Sequence, residues 1–244
     1  PGQVRLRMAW AGVCGSDLHY FYEGANGAFK VVEPLVPGHE VSGYVDDDPS
    51  GRLAPGTPVT VHPATFGKCG PGLENHPHLW PRGAYLGSAS TTPHTQGGMS
   101  EYLLVDASMV RVLPDGLSTR DAALAEPLAV GLHAINVAGG VDGARVLVSG
   151  SGPIGLLVAA GALASGAASV ACSDVLTGPL ARARDLGVHA TYRVGVDEIP
   201  DEAFDVVFEC SGAPAAVNGA IRAVRRAGVI AQVGMMSAGP KPIE

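Results

Sequence analysis

The fold of this 244-residue chain is decided by one glycine-rich stretch, Gly150-Ser151-Gly152-Pro153-Ile154-Gly155. It follows an apolar strand pattern at residues 145–149 and opens an apolar helical pattern at residues 153–165. A glycine turn between a strand and a helix lets backbone N–H groups at the helix start hold a pyrophosphate. The motif alone is weak, but its position between strand and helix predicts a dinucleotide-binding domain.

A carboxylate, Asp174, lies nineteen positions after Gly155, at the end of the next predicted strand. A carboxylate in this position accepts hydrogen bonds from both ribose hydroxyls and repels a 2′-phosphate. No arginine follows directly, because the next residues are Val175 and Leu176. The sequence therefore predicts NAD in preference to NADP.

The two halves of the chain have different patterns. In the second half, strands are predicted at residues 145–149, 169–173, 204–210 and 229–233, and helices at residues 153–165, 179–186 and 213–226. This alternation is typical of an α/β domain with a doubly wound parallel sheet. The first half is rich in Gly and Pro, and its short strands, predicted at residues 4–8, 41–45, 58–61 and 101–105, indicate an irregular β-barrel. A helix at residues 126–138 is expected to join domains 1–127 and 128–244.

Three residues of metal-binding type, Cys14, His39 and Glu40, occur near one another in the first half. A thiolate, an imidazole and a carboxylate form a zinc ligand set, and three protein ligands leave a fourth position for water or substrate. Taken alone, Cys14 would be interpreted as a buried apolar residue and His39 as an ordinary hydrogen-bonded one. Together with the predicted dinucleotide-binding domain, Cys14, His39 and Glu40 predict an alcohol dehydrogenase. Glu126 could be a further ligand or could hold water beside the zinc.

Composition excludes several classes of partner. The formal net charge of −7 and the lack of a basic cluster argue against nucleic acid. No run approaches the ~18 apolar residues that a membrane span requires. The four cysteines are scattered without a disulfide framework, which fits a cytoplasmic protein.

Several segments resemble the zinc-dependent medium-chain dehydrogenase/reductase superfamily, in its polyol, sorbitol dehydrogenase-like branch. They occur in the family's order at residues 12–19, 37–43, 97–102, 126–130 and 209–212. The resemblance implies a GroES-like catalytic β-barrel followed by a Rossmann domain. It also implies one catalytic zinc, NAD, and a homodimer or homotetramer.

The resemblance assigns roles residue by residue. Cys14, His39 and Glu40 fall on the catalytic-zinc positions, and Glu126 on a position that ligates zinc or bonds its water. Ser16 would accept the substrate proton, His19 would pass it towards solvent by way of the cofactor ribose, and Tyr20 would contact substrate. The cofactor-binding positions would be Gly150, Gly152, Pro153, Ile154, Gly155, Asp174, Cys210, Ser211, Gly212, Val233 and Gly234.

The chain departs from the family pattern at the lobe that carries a second, structural zinc in many relatives. Four cysteines hold that ion, whereas this chain keeps only Cys69. We expect no structural zinc, with apolar packing of Phe66 and Trp80 in its place; a different set of Cys69, His76 and His78 is the alternative. The resemblance also implies further sequence at both ends of the chain.

The substrate and the class of protein each have alternatives. The sequences at residues 61–65, 85–88 and 93–98 are similar to those of L-idonate 5-dehydrogenases, so a polyol or sugar acid is expected as the substrate. Sorbitol, xylitol and 2,3-butanediol stay open as substrates. A zinc-independent quinone or enoyl reductase would lack Cys14 and His39. A non-enzymatic NAD-binding sensor would have no use for the proton path from Ser16 to His19.

Overall fold

The computed structural model describes residues 2–237, 239–240 and 243. It divides into two compact units, Pro1–Glu126 and Pro127–Glu244. The division falls one residue before the boundary that we predicted from the sequence. Each unit has its own sheet and its own apolar core.

The first unit is built on a five-stranded antiparallel sheet. The strands of the whole unit are β1 (Gln3–Ala11), β2 (Ala25–Asn26), β3 (Phe29–Lys30), β4 (Val41–Asp47), β5 (Pro58–Val61), β6 (Ala64–Thr65), β7 (Ala84–Tyr85), β8 (Tyr102–Asp106) and β9 (Val110–Val112). The main sheet has the order β8-β1-β4-β5-β9, and β2 with β3 and β6 with β7 form two short antiparallel pairs. The core lies on one face because apolar residues alternate along the strands, as Val4 and Leu6 do in β1.

The helices of this unit are α1 (Gly15–Glu23), α2 (Thr119–Ala122) and the start of α3 (Ala125–Val137), with 3₁₀ turns at Pro77–Leu79 and Ala107–Met109. The sequence analysis did not predict α1. Its apolar side chains Leu18, Phe21 and Tyr22 are exposed, so the helix has no continuous apolar face for a pattern to reveal. Its ends are instead set by a capping box at Cys14 and by Gly24, whose φ is +66°.

The second unit is a parallel α/β domain, as predicted. After α3 it contains β10 (Arg145–Ser149), α4 (Pro153–Ala164), β11 (Ser169–Asp174), α5 (Thr177–Leu186), β12 (Ala190–Arg193), β13 (Phe204–Glu209), α6 (Pro214–Ala223) and β14 (Val224–Gln232). All neighbouring strands are parallel, in the order β12-β11-β10-β13-β14. The order runs in opposite directions on the two sides of β10, which places the topological switch point between β10 and β13.

Two predicted boundaries in this unit, the end of a helix and the start of the following strand, are wrong. The helix expected over residues 213–226 ends at Ala223, and the strand expected at residues 229–233 already begins at Val224. Val224 pairs with Phe204 of β13, and Ala227 then takes a φ of +58° as the strand passes an irregularity. A β-branched residue that pairs with a neighbouring strand overrides the helical pattern of the preceding residues.

None of the helices formed by the described residues combines the length and the apolar character needed to cross a membrane.

Candidate active site

Cys14, His39 and Glu40 lie together in the first unit. Cys14 caps the start of α1, and His39 and Glu40 immediately precede β4. One ligand atom from each of the three lies within 4.8 Å of the others, and no other such group of His, Cys, Asp or Glu is found among the described residues. His39 and Glu40 are buried. A soft thiolate, an imidazole and a carboxylate at this spacing fit a zinc ion with an open coordination position.

Asp17 joins the two ligand-bearing segments, a role that the sequence analysis missed. Its buried carboxylate accepts hydrogen bonds from the backbone N–H of Cys14 (2.9 Å) and from that of Gly38 (3.2 Å). Gly38 has a φ of +100°, a conformation that glycine adopts without strain. The available signal was an acidic residue at the third position of a helix. One carboxylate therefore fixes Cys14 relative to His39.

The space for the Glu40 carboxylate depends on Gly12. The N–H of Gly12 donates a hydrogen bond to the Glu40 carbonyl (2.7 Å), and a Cβ at Gly12 would lie 2.1 Å from Glu40 Oε2. Burial, and then the charge on Glu126, raise the pKa of Glu40. A bound cation would relieve this carboxylate repulsion.

The electrostatics of the group favour a thiolate at Cys14. A hydrogen bond from His39 lowers the pKa of the Cys14 thiol, with help from Ser16 and against the effect of burial. Burial lowers the pKa of His39, but the hydrogen bond and charge of Cys14, with the charges of Glu126 and Asp17, outweigh it and raise that pKa overall. Metal ligands must be deprotonated, so cation binding at this group is expected to strengthen as pH rises.

Glu126 lies beside this group and is held by Tyr85, the second residue that the sequence analysis gave no role. The Tyr85 hydroxyl donates a hydrogen bond to Glu126 Oε1. The Tyr85 ring meets His39 edge to face, with centroids 5.4 Å apart. Burial and the Glu126 carboxylate raise the pKa of Tyr85 well above its usual value, so the phenol remains a donor. Glu126 is thereby oriented by a neutral partner.

A cavity of about 170 Å³ adjoins the group. Its polar lining comes from Ser16, Tyr20, Asn26 and Ser88, in addition to His39. The Tyr20 hydroxyl accepts a hydrogen bond from the N–H of Ala89 (3.2 Å) and lies 3.4 Å from Ser88 Oγ.

His19 lies at an exposed position on α1, and its Nδ1 bonds Glu23 Oε1 at 2.9 Å. Among the described residues it forms no hydrogen bond with Ser16. The proton path from Ser16 to His19 by way of the cofactor ribose therefore stays a prediction.

The glycine-rich turn of the second unit has the shape of a phosphate cradle. Gly150 has a φ of +93°, and a Cβ at Gly155 would lie 1.9 Å from the Gly150 carbonyl oxygen. In contrast, nothing lies within 4 Å of a Cβ built at Gly152, which caps α4 ahead of Pro153. The turn is tight where helix and strand meet and open at the helix start, so a dinucleotide pyrophosphate fits there.

Asp174 ends β11 next to this turn. Its carboxylate accepts hydrogen bonds from the N–H of Ser151 and from that of Leu176, each at 2.8 Å. It also borders a cavity of about 270 Å³ that Gly150 and Ser211 help to line. The structure therefore brings the predicted ribose-binding carboxylate to the rim of the predicted phosphate cradle.

The other predicted cofactor residues lie at the ends of β13 and β14. A Cβ at Gly234 would lie 2.2 Å from the Gly212 nitrogen, and one at Gly150 would lie 2.9 Å from the Ser211 nitrogen. Val233 follows β14 and donates its N–H to the Glu209 carbonyl (2.8 Å). Cys210, Ser211 and Gly212 thus pack backbone to backbone against the glycine-rich turn and against Gly234.

The lobe around Cys69 is held by aromatic packing. The Phe66 and Trp80 rings lie 6.4 Å apart, and Trp80 Nε1 donates a hydrogen bond to the Leu73 carbonyl (2.6 Å). Cys69 is exposed, and within the described segments it forms no metal-ligand group with His76 and His78.

Comparisons with known proteins identify the family of both halves of the chain. Residues 1–115 match the family model described as alcohol dehydrogenase GroES-like domain, and residues 153–244 match that of zinc-binding dehydrogenase. The chain is 37% identical over 236 residues to L-idonate 5-dehydrogenase (NAD(P)(+)) of Escherichia coli, covering 94% of this chain and 69% of the relative. Sorbitol dehydrogenase 1 of Saccharomyces cerevisiae is 35% identical over 252 residues, covering 96% of this chain and 70% of the relative.

The crystal structure of L-idonate 5-dehydrogenase from Escherichia coli superposes with a TM-score of 0.94 at 34% identity, covering 100% of this chain and 72% of that chain. Fold and site therefore define an NAD(P)-dependent, zinc-dependent oxidoreductase. The chain belongs to the zinc-dependent medium-chain polyol dehydrogenase family. The family and the α/β fold expected from the sequence are confirmed, and zinc and NAD fit the family.

Proposed function

We propose that this enzyme oxidises a secondary hydroxyl group of a polyol or sugar acid with NAD, and that L-idonate, giving 5-ketogluconate, is its substrate. The observation that supports this proposal is the polar lining of the cavity beside Cys14, His39 and Glu40. A polyhydroxy substrate can form several additional hydrogen bonds with these side chains, whereas a hydrocarbon alcohol offers only one hydroxyl group. The similarity to L-idonate 5-dehydrogenase supports the choice of L-idonate.

The proposed zinc ligands are Cys14, His39 and Glu40. Glu126 is proposed to stand outside this set, because Tyr85 already engages its carboxylate. Zinc, when bound, acts as a Lewis acid that makes the substrate hydroxyl more acidic and stabilises negative charge on its oxygen. NAD supplies the hydride acceptor.

The proposed proton path uses two residues of α1. Ser16 lines the cavity and accepts the proton of the substrate hydroxyl. His19 passes the proton to solvent, since its ring is half exposed. The bond from Nδ1 to Glu23 leaves Nε2 free to exchange a proton with water or with a cofactor hydroxyl. Tyr20 orients a substrate hydroxyl, because its own hydroxyl is fixed by the Ala89 N–H.

The dinucleotide is proposed to bind along the carboxyl ends of the parallel strands. Gly150, Gly152 and Gly155, with Pro153 and Ile154, form the pyrophosphate cradle. Asp174 is proposed to accept the ribose hydroxyls, which favours NAD over NADP because a 2′-phosphate would meet its charge. The remaining cofactor contacts are assigned to Cys210, Ser211, Gly212, Val233 and Gly234.

A neutral polyol such as sorbitol or xylitol is the second candidate substrate. Among the described residues that line the cavity, none is Lys or Arg, the partners that a sugar-acid carboxylate prefers. 2,3-Butanediol, with fewer hydroxyl groups, would satisfy fewer of the polar side chains that line the cavity.

The experiment is a comparison of kcat/KM for L-idonate, sorbitol, xylitol and 2,3-butanediol, followed by NADH formation. The proposal predicts the highest value for L-idonate, and loss of turnover on chelation with recovery on zinc addition. A highest value for sorbitol or xylitol would transfer the assignment to a neutral polyol. Turnover that is insensitive to complete zinc removal would contradict the zinc mechanism.

The protein is further proposed to act in the cytoplasm as a homodimer or homotetramer, without a nucleic-acid or membrane partner. Sedimentation of the purified chain tests the oligomeric state, and a monomer at all concentrations would contradict it.

A further inference from the structure

Glu209 is a carboxylate with an unusual environment at the dinucleotide side of the second unit. It is the last residue of β13 and is 0% exposed. Oε1 accepts hydrogen bonds from the N–H (2.8 Å) and hydroxyl of Ser211 and from the Gly212 N–H (3.2 Å). Oε2 accepts from the same Gly212 N–H (2.9 Å) and from Gln232 Nε2 (2.5 Å). Every partner is a neutral donor, which is the set that an ionised carboxylate requires.

No cation compensates this charge within the described part of the chain, since Glu209 forms no ion pair there. Buried carboxylates are normally paired, because an isolated buried charge is costly. Neutral donors lower that cost but leave the net charge of −1 in place. A positively charged ligand would therefore be stabilised by Glu209 wherever the field of the carboxylate reaches it.

The position of Glu209 identifies that ligand. It adjoins the switch point between β10 and β13, outside which dinucleotides bind in parallel α/β sheets. The pyrophosphate cradle follows β10, and Asp174 marks the adenosine half on the β11 side. The nicotinamide half consequently belongs on the other side, next to the ends of β13 and β14. Oxidised nicotinamide carries a positive charge, and reduced nicotinamide is neutral.

We propose that Glu209 positions the loop 210–212 and, through its uncompensated charge, favours binding of NAD⁺ over NADH. The hydrogen bonds to Ser211 and Gly212 fix the loop, and the bond to Gln232 ties the loop to the end of β14. The charge has a separate effect, because it acts on one redox form of the cofactor only. This inference concerns cofactor binding and does not depend on which alcohol is the substrate.

The test is the ratio of dissociation constants, Kd(NADH)/Kd(NAD⁺), measured by titration of the purified full chain. Glu209→Gln removes the charge and keeps the side-chain shape, so the ratio is expected to fall by about fivefold to tenfold, as for a charge acting over ~10 Å in a partly buried setting. Gln232→Ala is the matched control. It loosens the same hydrogen-bond network but retains the carboxylate, so both constants should rise together with an unchanged ratio.

A second variant covers the case in which Glu209→Gln does not fold. Gln232 is an exposed residue, and Gln232→Lys places an ammonium group beside the intact carboxylate. The ratio should fall in the same direction as for Glu209→Gln. An unchanged ratio in Gln232→Lys, or equal losses of NAD⁺ and NADH affinity in a folded Glu209→Gln, would overturn the charge effect and leave Glu209 as a structural residue only.

Discussion

The proposed zinc group is built from side-chain atoms, whereas the predicted dinucleotide cradle is built from backbone. The proposed zinc group collects side chains from two separate segments, Cys14 and His39–Glu40, and each side chain contributes its own ligand atom. The cradle is one continuous segment, Gly150–Gly155, whose contribution is a backbone shape. Replacement of a single ligand atom should therefore abolish zinc binding. The dinucleotide site should instead weaken in steps, because several N–H groups share the ligand.

The largest loss of zinc and activity is expected from Cys14→Ser. A hydroxyl is a much poorer zinc ligand than a thiolate, so zinc should be lost and activity should fall by at least about a thousandfold. Metal analysis and NADH formation measure the two effects. Cys69→Ser, at an exposed cysteine of the same unit, should retain both zinc and activity. A zinc-loaded, fully active Cys14→Ser protein would contradict the ligand assignment.

The second-largest effect is expected from a variant that loses catalytic activity but keeps its zinc. Ser16→Ala removes the proposed proton acceptor and should lower kcat by about a hundredfold, the usual range for general base catalysis. Zinc content and NAD affinity should stay unchanged. Ser108→Ala, on an exposed serine of the same unit, is the control and should retain activity. A normal kcat in Ser16→Ala would mean that the substrate proton leaves by another route.

A smaller effect is expected from the residue that only positions the ligands. Asp17→Asn replaces one of the two oxygens that hold the Cys14 and Gly38 N–H groups. Zinc affinity should fall by about tenfold to a hundredfold, as for other groups that orient metal ligands. Competition with a zinc chelator measures the change. Asp47→Asn, an exposed residue at the end of β4, should not alter the affinity; equal affinities in both variants would refute the role of Asp17.

The smallest effect should occur in the second unit. Asp174→Ala removes a charged acceptor for the ribose hydroxyls and should weaken NAD by about tenfold, because a charged hydrogen bond contributes about that much. NADP should be affected far less, since its 2′-phosphate no longer meets a negative charge. Asp185→Ala, on the exposed side of α5, serves as the control. Equal losses for NAD and NADP would remove Asp174 from the ribose site.

The same contrast explains how much the sequence revealed. The strands at Pro58–Val61 and Arg145–Ser149 were predicted to the residue, because each is a short apolar run bounded by turn residues. The glycine-rich turn could also be recognised from the sequence, because its residues are contiguous. Cys14, His39 and Glu40 could be proposed from residue type, and the structure brings them together.

The supporting residues could not be predicted in this way. Asp17 acts through two backbone N–H groups from segments about twenty residues apart, and Tyr85 acts through Glu126 in a different segment. Neither contact leaves a periodic pattern in the sequence. Glu209 was quoted only as part of a motif, because burial and the absence of an ion-pair partner within the described chain become visible only in the folded sheet.

X-ray absorption on zinc-loaded Cys69→Ser protein, which determines the zinc coordination shell, tests the proposed metal site most directly. We expect one zinc per chain with a single sulfur ligand, completed by nitrogen and oxygen. Addition of Cys14→Ser should remove the zinc, and any zinc that excess metal still supplies should have no sulfur ligand. A zinc shell without sulfur in the Cys69→Ser protein, or a sulfur ligand that survives Cys14→Ser, would contradict the proposal that Cys14, His39 and Glu40 form the metal site.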